Sequence, residues 1–292
     1  MSGHLYRFRE RFHPLNHLRR HALSRAVLRA MDVAIWATLP GVDRKVRLRL
    51  VRHAALFALK WGGEPQVIEL FRAVSATVGV TTFWDIGANI GYYAWLVKSL
   101  SPGVQVRMFE PDPDNIWLVQ QTLQRAALTG IVLRDVAVSD SEGAKRFERG
   151  MITGSTGNLG EEETTFSWRL WHAATESVIV SAVTVDDERR EQVNPVDLIK
   201  IDVEGHEEAV VRGGRWTIEH DQPTQIVECF DGGAEIVDFL RRLGYRIADA
   251  ERLDEPLTTT SNFLALPPRH RASFDRLRQC WSDRMARNGR RA

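Results

Sequence analysis

The chain has 292 residues, with 39 Lys and Arg against 38 Asp and Glu, so its formal net charge is +1. At 43% hydrophobic and 26% charged residues it is ordinary globular material, which excludes disordered and fibrous classes. Its two cysteines, Cys229 and Cys280, exclude a disulfide framework or a Cys-rich zinc site and point to a reducing, cytoplasmic setting. The charge is unevenly spread. Residues 1–60 hold 13 basic and 3 acidic side chains, residues 61–268 hold 18 and 33, and residues 269–292 hold 8 and 2. An acidic body thus lies between two basic ends, a pattern that suggests an anionic partner.

In chain order, residues 15–39 and 44–61 read as helices, separated by Pro40-Gly41, with Leu48, Val51, Ala55 and Leu59 at helical spacing. The apolar stretch 22–39 contains Arg25, Arg29 and Asp32, so no membrane span is expected, and no signal core follows Met1. From residue 82 the texture changes. A buried-type strand at 82–86 is followed by a helix at 90–100, a strand at 105–109, a helix at 113–128 and a strand at 131–138. Strands are then expected at 178–185, 197–203 and 225–229, a helix near 234–243, strands at 245–250 and 262–266, and a terminal helix near 272–287. Alternating strands and helices imply βαβ crossovers and a mainly parallel sheet, with one antiparallel edge strand near the C-terminus. The connection between 138 and 197 is long enough for a lid or substrate loop. Its Phe166, Trp168 and Trp171 would stack on a substrate ring or pack as one helix face on the body. The expected organisation is a basic helical extension over 1–65, a catalytic domain over 66–268 with an insertion at about 144–185, and a basic C-terminal helix over 269–292.

Asp85-Ile86-Gly87-Ala88-Asn89-Ile90-Gly91 ends a strand in an acid, turns through glycines and opens a helix, the layout of a ligand crevice in a doubly wound sheet. The dinucleotide fingerprint has glycine where Asn89 stands, and Asp85 suits a cationic ligand better than a pyrophosphate. Glu110, at the end of the next strand and 23 residues past Gly87, is placed to accept the ribose hydroxyls of an adenosine. Asp135 could approach the adenine edge or be a plain turn acid. Lys200-Ile201-Asp202-Val203-Glu204-Gly205-His206-Glu207 delivers further acids to a strand end, with period two placing Asp202 and Glu204 on one side. Glu228 ends another strand. If the two strands are neighbours, Asp202, Glu204, His206 and Glu228 converge beside the glycine turn. Such a group needs a sulfonium, a divalent ion such as Mg²⁺ or a proton. Glu207 and Glu208 read as a solvated first helical turn.

These blocks resemble the FkbM-type S-adenosylmethionine-dependent methyltransferases. The resemblance rests on the Asp85–Gly91 turn, Phe109-Glu110-Pro111, Val136-Ala137-Val138-Ser139-Asp140, Val183-Thr184-Val185-Asp186-Asp187 and Ile199 to Glu207, in family order over about 145 residues. It implies a Rossmann-like α/β fold with a seven-strand sheet. Asp85, Gly87 and Asn89 would line the methionine end of S-adenosylmethionine and Glu110 its ribose, with Gly91, Asp135 and Asp202 as further cofactor-site candidates. The implied activity is O-methylation of a sugar, glycan or glycosylated secondary metabolite. His206, then Glu204, are the expected bases, with Asp202 beside them. If Mg²⁺ takes part, Asp202, Glu204 and Glu228 are its candidate ligands. A non-catalytic adaptor at a membrane surface and an NAD-dependent oxidoreductase are the alternatives. The expected partner is a small-molecule or glycan acceptor, with no nucleic acid, since the basic ends lack interleaved aromatics. Residues 1–60 are expected to dock on an acidic body, their own or a second subunit's in a homo-oligomer, with an anionic membrane or glycolipid as the other option.

Overall fold

The computed structural model describes residues 22–54, 56, 65–150, 157–159, 175–229, 233–253 and 262–289. Helix α1 (Ala22–Met31) is followed by two short strands, β1 (Ala34–Thr38) and β2 (Lys45–Arg49), paired antiparallel. The sequence reading made both stretches helical, and that is corrected here. In β2 the apolar residues alternate strictly: Val46 and Leu48 are fully buried while Lys45 is exposed and Arg47 and Arg49 are half-buried. Period two therefore governs this segment rather than the helical period that Leu48, Val51 and Ala55 suggested. Gly41, at φ +76°, makes the turn after Pro40. Leu39, Val42, Val46 and Leu48 enter the same core as the central sheet, so the hairpin is built into the body. Its charge is used there too: Arg52 Nη1 lies 2.8 Å from Asp114 and 3.9 Å from Asp112.

Helix α2 (Pro65–Thr77), which the sequence reading left blank, buries Val67, Ile68, Leu70, Phe71, Ala73 and Val74. The alternating region then runs as β3 (Thr82–Ile86), α3 (Tyr92–Leu100), β4 (Gln105–Phe109), α4 (Pro113–Ala126), β5 (Ile131–Arg134) and β6 (Ala137–Ser139). It continues as β7 (Gly143–Gly150), β8 (Gly157–Leu159), β9 (Thr175–Thr184), α5 (Val185–Arg190), β10 (Leu198–Ile201), α6 (Glu207–Arg212) and α7 (Arg215–His220). The chain closes with β11 (Thr224–Glu228), α8 (Ala234–Arg242), β12 (Arg246–Asp249), β13 (Asn262–Leu266), a 3₁₀ turn (Pro268–Ser273) and α9 (Phe274–Gly289).

Seven strands form one sheet in the order β12-β13-β11-β10-β3-β4-β5. All neighbours pair parallel except that β13 runs antiparallel to both β11 and β12. The antiparallel strand thus sits second from the edge, with β12 outside it. The chain builds from β3 outward through β4 to β5, then returns to β10 on the other side of β3. This reversal is where a doubly wound sheet opens a crevice at its strand ends. Alternate side chains feed two cores: Phe83, Leu198, Ile226 and Leu264 pack on one face, while Trp84, Ile199, Val227 and Phe263 pack on the other.

The stretch 131–138 does not make one strand. It breaks at Asp135–Val136, so β5 edges the main sheet while β6 joins a second sheet ordered β6-β9-β7-β8. That sheet begins at β6, ahead of the stretch read as an insertion at about 144–185, and is held by a small core of Ala137, Phe147, Leu159 and Ala182. Phe166, Trp168 and Trp171 lie outside the described residues. No described helix is long and apolar enough to cross a membrane.

Candidate active site

The glycine turn joins β3 to α3. Gly87 has φ +77°, and a Cβ there would overlap the carbonyl oxygen of Asp202, so only glycine allows the β3 and β10 ends to meet this closely. Asn89 stands at φ +54°, a left-handed conformation that asparagine tolerates, which explains how it occupies the place of the missing fingerprint glycine. Gly91, at φ +79°, caps α3; a Cβ there would press on Met108 Sδ at 2.8 Å. Asp85 is buried, and its Oδ2 accepts from the Ala94 N–H of α3 at 3.0 Å. Burial raises its carboxyl above the ordinary range, against the pull of the Lys200 charge.

Glu110, just past β4, is also buried. Its Oε2 accepts from Asn89 N–H at 2.7 Å, and its Oε1 from Asp112 N–H at 2.9 Å and Asn115 Nδ2 at 3.4 Å. Burial pushes its pKa up to about 8 despite these donors. The strand-end acids of β3 and β4 therefore flank the turn as the sequence placed them. Asp135 is exposed at the β5–β6 break.

The sequence motifs alone assign Lys200 no part in the site. Lys200 is fully buried in β10, in register with Asp85 on β3 and Ile226 on β11. Its Nζ lies 3.0 Å from Asp202 Oδ2, 3.8 Å from Glu228 Oε2 and 5.0 Å from the Tyr93 ring centroid. These carboxylates raise its pKa well above the ordinary lysine value, against desolvation, so it stays charged. A lysine between isoleucines in an apolar strand was the available signal, because such a charge needs partners. The strands β10 and β11 are neighbours as required, and Lys200 supplies the cation the acids need. Among the described residues no three His, Cys, Asp or Glu side chains are grouped to hold a metal ion. Asp202 and Glu228, set around an ammonium, do not fit a Mg²⁺ centre with Glu204, because that charge would repel the ion.

The period-two placement of Glu204 beside Asp202 is corrected: β10 ends at Ile201, and Glu204 turns at φ +54°. His206 caps α6, and its Nε2 is 2.9 Å from Ser139 Oγ at the end of β6. Burial lowers its pKa, opposed by the Asp140 charge, with Lys145 and Arg212 lowering it further. The ring thus faces the second sheet rather than the Lys200 cluster. Glu207 is buried instead of solvated; its Oε1 accepts from Gly205 N–H at 2.9 Å, and burial raises its pKa. Glu208 lies half-exposed, 3.9 Å from Arg212.

A doubly wound sheet with acids on both sides of a glycine turn at its switch point defines an α/β cofactor-binding fold of the methyltransferase class. Residues 85–247 match the Methyltransferase FkbM domain, more than half of the sequence, and the chain belongs to that family. It is 31% identical over 153 residues to the hexuronic acid methyltransferase AglP of Haloferax volcanii, covering 52% of this chain and 56% of that protein. It is 29% identical over 141 residues to the 2-O-methyltransferase NoeI of Sinorhizobium fredii, covering 46% and 57%. The chain thus spans a little over half the length of these relatives. The solved FkbM methyltransferase of Methylobacillus flagellatus KT aligns with TM-score 0.43 and 18% identity, over 64% of this chain and 43% of that one.

Proposed function

We propose that the protein is an S-adenosylmethionine-dependent O-methyltransferase acting on a hydroxyl of a sugar or glycan, with its catalytic unit within residues 66–268. The observation that carries this reading is the pair of buried acids, Asp85 and Glu110, on either side of the Gly87–Gly91 turn. The names of the two relatives support the sugar acceptor. Asp85, Gly87, Asn89 and Gly91 would hold the methionine end of the cofactor, Glu110 its ribose, and Asp202 would border both, with Asp135 at the adenine side. The residues fit: a buried carboxylate raised by desolvation gains from a cationic or hydroxyl-donating ligand. Bound, the cofactor supplies an electrophilic methyl group on sulfur.

The chain's own residues supply position and a base. A sugar hydroxyl ionises far above neutral pH, so its proton must leave as the new bond forms. His206 is the first candidate, since burial keeps its ring neutral at pH 7. With Nε2–H donating to Ser139 Oγ, and Ser139 Oγ 3.3 Å from Asp140 Oδ1, Nδ1 is left to take the proton, and the Asp140 charge favours the imidazolium that results. Glu204 is the second candidate. The test is an acceptor screen of hexuronic acids, glycans and glycosylated metabolites with labelled S-adenosylmethionine, run with Mg²⁺ and with EDTA. Methyl transfer that survives EDTA is expected. His206→Ala should lower turnover by about 10²–10⁴-fold while S-adenosylhomocysteine binding is kept. No transfer to any acceptor together with no S-adenosylhomocysteine binding would overturn the reading.

A further inference from the structure

A chain of hydrogen bonds runs from the N-terminal hairpin, upstream of the matched family region, to Glu110. His53 follows β2 and is buried. Arg49 N–H donates to its Nδ1 at 3.0 Å. That backbone group can only donate, so Nδ1 carries the lone pair, and the proton of a neutral ring sits on Nε2. Burial lowers the ring's pKa to about 4, which keeps it neutral at physiological pH. Nε2 lies 3.3 Å from Asn115 Oδ1, so it donates there and turns the amide the other way, placing Asn115 Nδ2 3.4 Å from Glu110 Oε1. The polarity is set from end to end.

This matters for what Glu110 can offer a ligand. Each carboxylate oxygen has two lone-pair positions. In its charged form Oε1 spends both on Asp112 N–H and Asn115 Nδ2, whereas Oε2 spends one on Asn89 N–H and, among the described residues, keeps the other, the place a proton takes when the group is neutral. Without the Asn115 donor the carboxylate keeps Asn89 N–H and Asp112 N–H but loses the one side-chain donor that fills the second position on Oε1. With the amide reversed, oxygen would face oxygen.

We propose that His53 is a positioning residue that, through Asn115, holds Glu110 in the orientation that receives the cofactor ribose. The proposal rests on the reading of Glu110 as the ribose acceptor. His53 is thereby a working part of the cofactor site, although it lies outside the family region. The charge that acts on Glu110 is that of Asp112, which raises its pKa and is itself paired with Arg52 and Arg149.

The test is calorimetric titration of the full-length chain with S-adenosylhomocysteine from pH 6 to 9. His53→Leu and Asn115→Ala should each weaken binding about tenfold and shift the acid limb of the binding profile to higher pH, because Glu110 loses a donor that favours its charged form. His53→Gln, which can still accept from Arg49 and donate to Asn115, should stay within about threefold of the unsubstituted protein. Trp36→Ala, which removes the hairpin ring stacked by Arg47 and Arg125, serves as a stability control and should leave affinity unchanged. Unchanged affinity in both His53→Leu and Asn115→Ala, His53→Gln as weak as His53→Leu, or an equal loss in Trp36→Ala would each overturn the proposal. Failure of the unsubstituted protein to bind at any pH would instead overturn the cofactor reading, and this proposal with it.

Discussion

Glu110 keeps a proton to about pH 8 in the folded protein, whereas in the unfolded chain it titrates near its ordinary value of 4.5. Between these values the folded state holds the extra proton, so its contribution to stability is full below about pH 4 and is lost as pH rises to about 8. Asp85 shifts in the same direction. Glu110→Gln should therefore flatten the fall in melting temperature of the ligand-free protein between pH 5 and 8. An equally steep fall in the variant would refute this origin. Lys200 works at the same scale, as the cation that its buried carboxylate neighbours hold. Lys200→Met would leave Asp202 and Glu228 without their cation, and breaking a buried pair costs about 3–5 kcal/mol. Urea unfolding should show a loss near the lower figure, since Asp202 and Glu228 keep some contact with solvent. Little of this was legible beforehand. The acids announced themselves at strand ends, but whether a metal, a ligand or a lysine balances them depends on which strands become neighbours.

At the scale of elements, one buried acid joins the two sheets. Glu188, on the short helix α5 that leaves β9, accepts from Arg107 of β4 at 2.6 Å and from Arg134 of β5 at 2.6 Å. It is buried, and Arg107 also lies over the Trp84 ring. Glu188→Gln would leave two guanidinium groups without a counter-charge, and a loss of about 3 kcal/mol in urea unfolding is expected. A loss below about 1 kcal/mol would show that the sheets are held by their apolar contacts alone. The β5–β6 break makes this link necessary, because the chain leaves one sheet there and starts another within two residues. Ile131 to Val138 is apolar except for Arg134 and Asp135, and two charged residues at the end of a short strand carry no clear mark of a change of sheet. The Arg134-Asp135 pair, with Asp135 exposed, was the visible irregularity.

For the whole molecule, the segmental charge imbalance finds a partial use inside the chain. Arg52 pairs with Asp112 and Asp114, and in the basic C-terminal helix Arg284 lies 3.7 Å from Glu69 while Arg276 bonds the Thr77 carbonyl at 2.6 Å. Among the described residues, Arg52, Arg276 and Arg284 thus bind the body that carries the excess acid. The N-terminal hairpin adds Leu39, Val42, Val46 and Leu48 to the central core, each worth about 1.5–3 kcal/mol when buried. A truncation beginning at residue 61 should lower the melting temperature by roughly 10 °C or more. A truncated protein that melts like the full chain would mean the hairpin is an accessory.

The sequence by itself determined the alternating α/β order, the strand-end positions of Asp85, Glu110, Asp202 and Glu228, and the family. These depend on local period, on glycine at left-handed turns and on motif order, all of which are written along the chain. Tertiary structure alone decided that residues 34–49 form a hairpin in the core, because short basic and apolar segments fit either period until one face is buried. It also decided that Lys200 balances the strand-end acids, that His206 turns to Ser139, and that His53 reaches Glu110 through Asn115. Those contacts join residues far apart in the chain, and a hydrogen bond or ion pair depends on distance in space, which local pattern does not encode.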